Sequence, residues 1–162
     1  MPLSIRQTHL LIAFGCLGLI LTALVMQYQF DLAPCPLCIT QRIFVIAVGL
    51  TALLAALHNP VQIGQRIYGL LGMLFAAIGT GFAARHMWLQ SLPEDLAPAC
   101  GPPLAFMFEN FPLGQAFELL LQGDGNCAKT VFSFLGLSIP GWTAVAFVGL
   151  IVLCLYQALR RR

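Results

Sequence analysis

Apolar residues run almost unbroken through four stretches of the chain, at about 10–30, 39–57, 67–88 and 140–156. A bilayer's hydrocarbon core of roughly 30 Å takes about 20 residues in helical form. Helix is required there, because lipid offers no partner to a bare N–H or C=O group. The pattern therefore predicts an all-α membrane protein, a bundle of four transmembrane helices. Aromatic residues stand near the ends of these stretches: Tyr28 and Phe30, Tyr68, Trp88, Trp142 and Tyr156. Rings with a polar edge favour that depth of the bilayer. The first stretch is longer than the apolar core of a secretory signal. Its end, Met26-Gln27-Tyr28-Gln29, also lacks the small residues of a cleavage site, so it reads as a span.

Composition agrees. Of 162 residues, 59% are hydrophobic and 9% charged, against about a quarter charged in soluble domains. The lipid bilayer is thus the expected solvent, and 1–162 the extent of a single membrane domain. A net charge of +2 gives no basis for a nucleic-acid partner. The placement of charge says more than its sum. Arg6, Arg66, Arg160, Arg161 and Arg162 lie with the termini and the short loop before the third stretch, whereas Arg42, Arg85 and Lys129 lie on the opposite side. The excess of basic residues predicts that both termini are cytoplasmic and that loops 31–38 and 89–139 face outward.

Within the third stretch, Gly72, Ala76, Gly79 and Ala83 recur at helical spacing. Small residues so placed let two helices approach closely in lipid, although they also occur as ordinary filler. The long outer loop is rich in proline and glycine and reads as irregular, save for a short helix over 112–122. Pro112 could start that helix and Gly123 end it. It reads either as lying flat in the membrane interface or as packing on the bundle.

Six cysteines divide into two groups. Cys16 and Cys154 lie inside spans, where a thiol acts as a small apolar side chain. Cys35, Cys38, Cys100 and Cys127 all fall on the outward side, which in a bacterium is the periplasm, where disulfides persist. Four cysteines allow three pairings. Cys35-Pro36-Leu37-Cys38 is a C-x-x-C that can pair locally, leaving Cys100 and Cys127 within the long loop. The C-x-x-C opens the second helix, where the positive end of the helix dipole favours a thiolate. Arg42, four residues after Cys38, shares its helix face and adds a fixed positive charge. An inert staple suits Cys100 and Cys127 but not a ring as small as C-x-x-C. No metal is expected, because zinc sites commonly use two short knuckles and here the second pair is far apart in sequence.

These residues carry a resemblance. Cys35-x-x-Cys38-x-x-x-Arg42, Arg85-His86, Gly125-Asn126-Cys127-Ala128, Phe134-Leu135-Gly136-Leu137 and Pro140-Gly141-Trp142 together resemble the disulfide-bond-forming membrane oxidoreductases of the DsbB type. The likeness covers nearly the whole chain, including span number and loop order. Two positions depart from it. Val131 or Phe132 stands where tryptophan is frequent, and Asn126 where aspartate is common. Vitamin K epoxide reductase-like enzymes also combine four helices with a quinone, but their quinone-facing C-x-x-C lies on the last span.

The resemblance implies an enzyme of the bacterial inner membrane that reoxidises a DsbA-like periplasmic thioredoxin-fold oxidase and passes the electrons to ubiquinone or menaquinone. That oxidising chain is a known feature of the periplasm. It further implies that Cys100 is attacked by the partner, that Cys127 exchanges with Cys35, and that Cys38 faces the quinone. Arg42 would hold the Cys38 thiolate and a quinone oxygen, and His86 would hydrogen-bond the quinone or deliver a proton. His9 and His58 read as anchors at the cytoplasmic edge. The non-enzymatic alternative is a membrane protein with a disulfide-stapled outer loop.

Overall fold

Ser4 starts the first helix. Its Oγ accepts the Gln7 N–H (3.2 Å) while Gln7 Oε1 accepts the Ser4 N–H (2.8 Å), so two donors that the helix leaves unpaired are satisfied reciprocally. In the computed structural model, which describes residues 4–30, 32, 34–93, 112, 114, 115, 118, 125–128 and 132–160, this helix α1 runs Ile5–Gln29. Helix α2 (Pro36–His58) has proline in its first position, where the missing N–H is no loss. It stops at Asn59, which adopts the left-handed conformation (φ 43°) and donates its N–H to Ala55 O at 2.9 Å. Pro60 then bars further helix, and α3 (Gln62–Ser91) begins almost at once. A β-carbon on Gly64 would lie 2.6 Å from that of Pro60, so the tight turn requires glycine there. After a short helix α4 (Gly125–Ala128) and two strands, α5 (Ile139–Leu159) completes the fold.

Helices α1, α2, α3 and α5 are each long and apolar enough to cross a membrane, and the chain is a multi-pass membrane protein. Each helix outruns its apolar stretch, because caps and turns set helix ends while lipid sets only the apolar part. Their outward faces carry large exposed apolar side chains, among them Phe14, Leu57, Ile67, Val152 and Leu159. In water such a surface would aggregate; in lipid it is solvated.

Packing is uneven around the bundle. Helix α3 packs most extensively on α5, and α2 packs on both α1 and α3, whereas α1 and α5 barely touch. The α3–α5 contact uses the small-residue stripe. A β-carbon on Gly79 would lie 2.4 Å from the Phe147 ring, one on Gly69 2.9 Å from the Ala158 backbone, and one on Gly72 3.0 Å from Cys154 Sγ. The stripe is therefore a contact surface rather than filler. Cys16 and Cys154 are buried in the apolar core with Val48, Ala76 and Phe147, as small apolar side chains.

At the end of the bundle nearest both termini, buried glutamines tie three helices. Gln65 Nε2 donates to Gln157 O (2.7 Å) and Arg160 O (3.2 Å), covering carbonyls that the end of α5 would otherwise leave bare. Gln157 Nε2 in turn donates to Ile5 O (2.9 Å) on α1. His58 is exposed, with its Nδ1 3.1 Å from the Tyr68 hydroxyl, as befits an edge residue. His9 departs from the expected anchor: it is only 3% exposed, turned into the bundle rather than outward.

The segment before α5 also departs from an irregular reading. Ser133–Phe134 (β1) and Leu137–Ser138 (β2) pair antiparallel through a two-residue turn, with Leu135 and Gly136 both at positive φ (52° and 80°). Both residues of this tight turn type need positive φ, a conformation unusual for leucine, so the sequence signal was weak. Trp142 Nε1 donates to Phe134 O (3.0 Å) and holds the hairpin on the start of α5. Of the helix expected over 112–122, Gly114, Gln115 and Glu118 are helical, and the Gln115 N–H reaches Pro112 O at 2.9 Å; the other residues lie outside those described.

The glycine contact yields a double-mutant test. Gly79→Ala should destabilise the protein by about 1–3 kcal/mol through overpacking. In a Phe147→Ala background the same change should cost less, because the ring atoms that a Gly79 β-carbon meets first are gone. Thermal unfolding of the four proteins in detergent measures the coupling, and equal costs in both backgrounds would refute the contact.

Candidate functional site

Cys35 is the N-cap of α2 and Cys38 lies in its first turn. The turn brings their sulfurs to 3.2 Å, a thiol–thiol contact. Leu37, between them, is fully buried against Leu89 of α3 and Cys127 of α4. This small apolar cluster fixes the start of α2 against the end of α3 and delivers α4 to the same place. Cys127 is itself wholly buried. Its sulfur, Cys35 Sγ and a ring nitrogen of His86 all lie within 4.8 Å of one another.

His86 continues the small-residue stripe of α3, seven residues after Gly79. The register that turns the glycines towards α5 therefore turns this imidazole inward, where it is 2% exposed. Its Nε2 lies 3.8 Å from Cys35 Sγ, and its Nδ1 is 3.2 Å from Gln41 Nε2. With Gln41 donating to Nδ1, the neutral ring carries its proton on Nε2, directed at the Cys35 sulfur.

Arg42 follows on α2, half-buried. Its Nη1 donates to Gln27 Oε1 (2.6 Å) and its Nη2 to Ala23 O (3.2 Å), both on α1. The guanidinium thus bridges two helices and still faces the same hollow as Cys38. That hollow is a cavity of about 570 Å³ between α1, α2 and α5, with Cys35, Cys38, Arg42 and His86 on one side. Leu19, Ile20, Val145 and Ala146 line other parts of it. Largely apolar walls with a few convergent polar groups suit an uncharged ring bearing hydrogen-bond acceptors, at a volume ordinary for such ligands.

Five of the six residues picked from sequence thus meet around one end of the bundle: Cys35, Cys38, Arg42, His86 and Cys127. Cys100 lies outside the described residues. Sequence reasoning passed over Gln41, buried to 3% exposure, and Gln27. A polar side chain inside or beside an apolar span was the available signal, because such residues are expensive in lipid and are kept inward.

Comparison with known proteins gives a consistent result. The family model described as "Disulfide bond formation protein DsbB" matches residues 5–157. The chain is 63% identical to a "Disulfide bond formation protein B" of Saccharophagus degradans, over 98% of this chain and 95% of that protein. It is 51% identical to one from Chromobacterium violaceum (97% and 95%) and 50% identical to one from Nitrosococcus oceani (97% and 93%). The family match thus runs from the first turn of α1 nearly to the end of α5, through the thiol cluster and the cavity, and the chain belongs to the DsbB family of disulfide bond formation proteins.

Proposed function

We propose that the protein is a protein-disulfide:quinone oxidoreductase of the bacterial inner membrane. It takes two electrons from a reduced, DsbA-like thioredoxin-fold oxidase and gives them to a membrane quinone. The observation that carries this reading is the meeting of Cys127 with the C-x-x-C at a lipid-level cavity. One thiol of the outer loop lies within 4.8 Å of Cys35 Sγ, and Cys38 lines the hollow behind it. Such an order suits relay from a soluble donor to a lipid-borne acceptor. The excess of arginine at the opposite ends of the helices supports cytoplasmic termini and periplasmic thiols.

The exchange steps follow from the family likeness and the distances. The partner's thiolate attacks Cys100 in a Cys100–Cys127 disulfide, forms a mixed disulfide and releases Cys127. The partner's second thiolate then resolves the mixed disulfide, leaving the partner oxidised. The Cys127 thiolate attacks Cys35 Sγ of the Cys35–Cys38 disulfide and releases Cys38 as a thiolate. Thiol–disulfide exchange needs an accessible thiolate and a good leaving sulfur, and the helix dipole at the start of α2 favours Cys38 in that role. The Cys100 thiolate left by resolution of the mixed disulfide attacks Cys127 of the Cys35–Cys127 disulfide, restores Cys100–Cys127 and releases Cys35. A quinone bound in the cavity would take two electrons and two protons from Cys35 and Cys38 as they re-form their disulfide. Arg42 keeps a positive charge on the cavity wall with three N–H groups beyond its bonds to α1. His86 holds a proton at Nε2 beside the sulfurs, and Gln41 keeps the ring in that orientation.

Two substitutions test the division of labour. Cys38→Ser should still trap a mixed disulfide with the partner, seen on non-reducing gels, while quinone reduction disappears; normal turnover would sink the mechanism. Arg42→Met should raise the apparent quinone KM by roughly 10- to 150-fold, the equivalent of about 1.5–3 kcal/mol for a hydrogen bond to a charged group. An unchanged KM would leave Arg42 only as a tie between α1 and α2.

A further inference from the structure

The fold removes the objection that sequence raised against a metal. Cys127 is far from the C-x-x-C along the chain, yet its sulfur, Cys35 Sγ and a His86 ring nitrogen lie within 4.8 Å of one another. His86 Nε2 stands 3.8 Å from Cys35 Sγ, and Cys38 Sγ, 3.2 Å from Cys35 Sγ but outside the mutually close trio, can become the fourth donor by turning about its side-chain torsion. A tetrahedral zinc ion with bonds of about 2.3 Å to sulfur and 2.0–2.1 Å to nitrogen separates its donors by roughly 3.5–3.8 Å. The Cys35–His86 separation already matches that spacing, and Cys127 needs only to draw in from within 4.8 Å of both, while Cys38 must turn further to complete the set.

We propose that the fully reduced site also binds one zinc-class ion through Cys35, Cys38, Cys127 and His86, and that the ion arrests the protein in that state. Binding displaces the three thiol protons and draws on the lone pair of a neutral imidazole, giving a complex of net charge −1 beside Arg42. The outer-shell partner is in place. Gln41 can turn its amide so that Oε1 accepts from Nδ1–H, which frees Nε2 for the ion. Soft thiolates favour zinc over magnesium or calcium. Re-forming the Cys35–Cys38 disulfide removes two of the four donors, so ion and oxidised site exclude each other. Only the arrest rests on the redox role proposed above; the chelate does not.

Cobalt(II) added alone to the full-length chain in detergent, reduced and under anaerobic conditions, tests the site. The expected result is one ion per chain, with thiolate-to-cobalt charge-transfer absorption that zinc displaces and that pre-oxidised protein lacks. Cys127→Ser and His86→Gln should each weaken binding by more than the roughly 10- to 100-fold typical of losing an outer-shell partner, whereas Cys16→Ser should bind as the parent does. No charge-transfer band from the reduced parent, or an undiminished band in both site variants, overturns the chelate. The oxidised parent supplies a control that needs no substitution. Turnover of the same preparation is measured with a chelator and then with zinc at a concentration that saturates the reduced form. Inhibition by zinc supports the arrest, and unchanged turnover overturns it. A preparation that turns over but gives no band refutes the metal site alone; one that gives the band but never turns over refutes the redox role and leaves the chelate standing.

Discussion

The closeness of α3 and α5 governs the rest of the bundle. Gly69, Gly72 and Gly79 admit Ala158, Cys154 and Phe147 to distances that a β-carbon would forbid. In lipid, where apolar burial gives helices no net reason to associate, such contact is the main attraction available. It also fixes the rotation of α3 about its axis, and so decides that His86 looks inward. With α5 committed to α3, and α1 to α2, little of α1 meets α5. The unfilled space between them, in the half of the bundle that carries Cys35 and Cys38, is the cavity.

Polar groups set the limits of that opening. At the end nearest the termini, Gln157 reaches Ile5 O and Gln65 covers the last carbonyls of α5, so α1 and α5 are joined there. Towards the end that carries the thiols, Arg42 reaches α1 instead, through Gln27 and Ala23. Gln41 serves His86. Each polar group buried in an apolar span is costly without a partner, so each of these is placed by the bond it makes. Some atoms at the end nearest the termini find none among the described residues: both nitrogens of His9 and the Oε1 atoms of Gln65 and Gln157. These two ends of the bundle are thus chemically unlike, one closed by amides and the other open beside thiols.

Much of this was legible in the sequence, for definite reasons. Span number follows from the length of the apolar runs, because the bilayer imposes that length. The C-x-x-C and Arg42 are local features, with Cys38 and Arg42 four residues apart on little more than one turn of helix, so spacing alone placed them. The small stripe announced a contact surface but not its partner; that α5 rather than α1 fills it depends on Phe147 meeting Gly79, a relation between distant residues. Cys127 joining Cys35 was equally invisible to spacing. It depends on Leu37, Leu89 and Cys127 burying one another. The hairpin went unread because a leucine occupies a position that usually calls for glycine or asparagine. His9 was misplaced because a histidine near a helix end in lipid most simply sits at the edge.

The cavity draws its walls and its chemistry from different helices. Leu19 and Ile20 of α1 and Val145 and Ala146 of α5 shape the hollow, while the sulfurs and the imidazole that face it come from α2 and α3. Changes on the first pair of helices alter the size and contour of the recess without moving a reactive atom. A lineage can therefore retune what the recess admits, by exchanging one aliphatic side chain for another, while its sulfur chemistry stays under separate selection. Because α1 and α5 barely touch, such exchanges meet little opposition from packing between them.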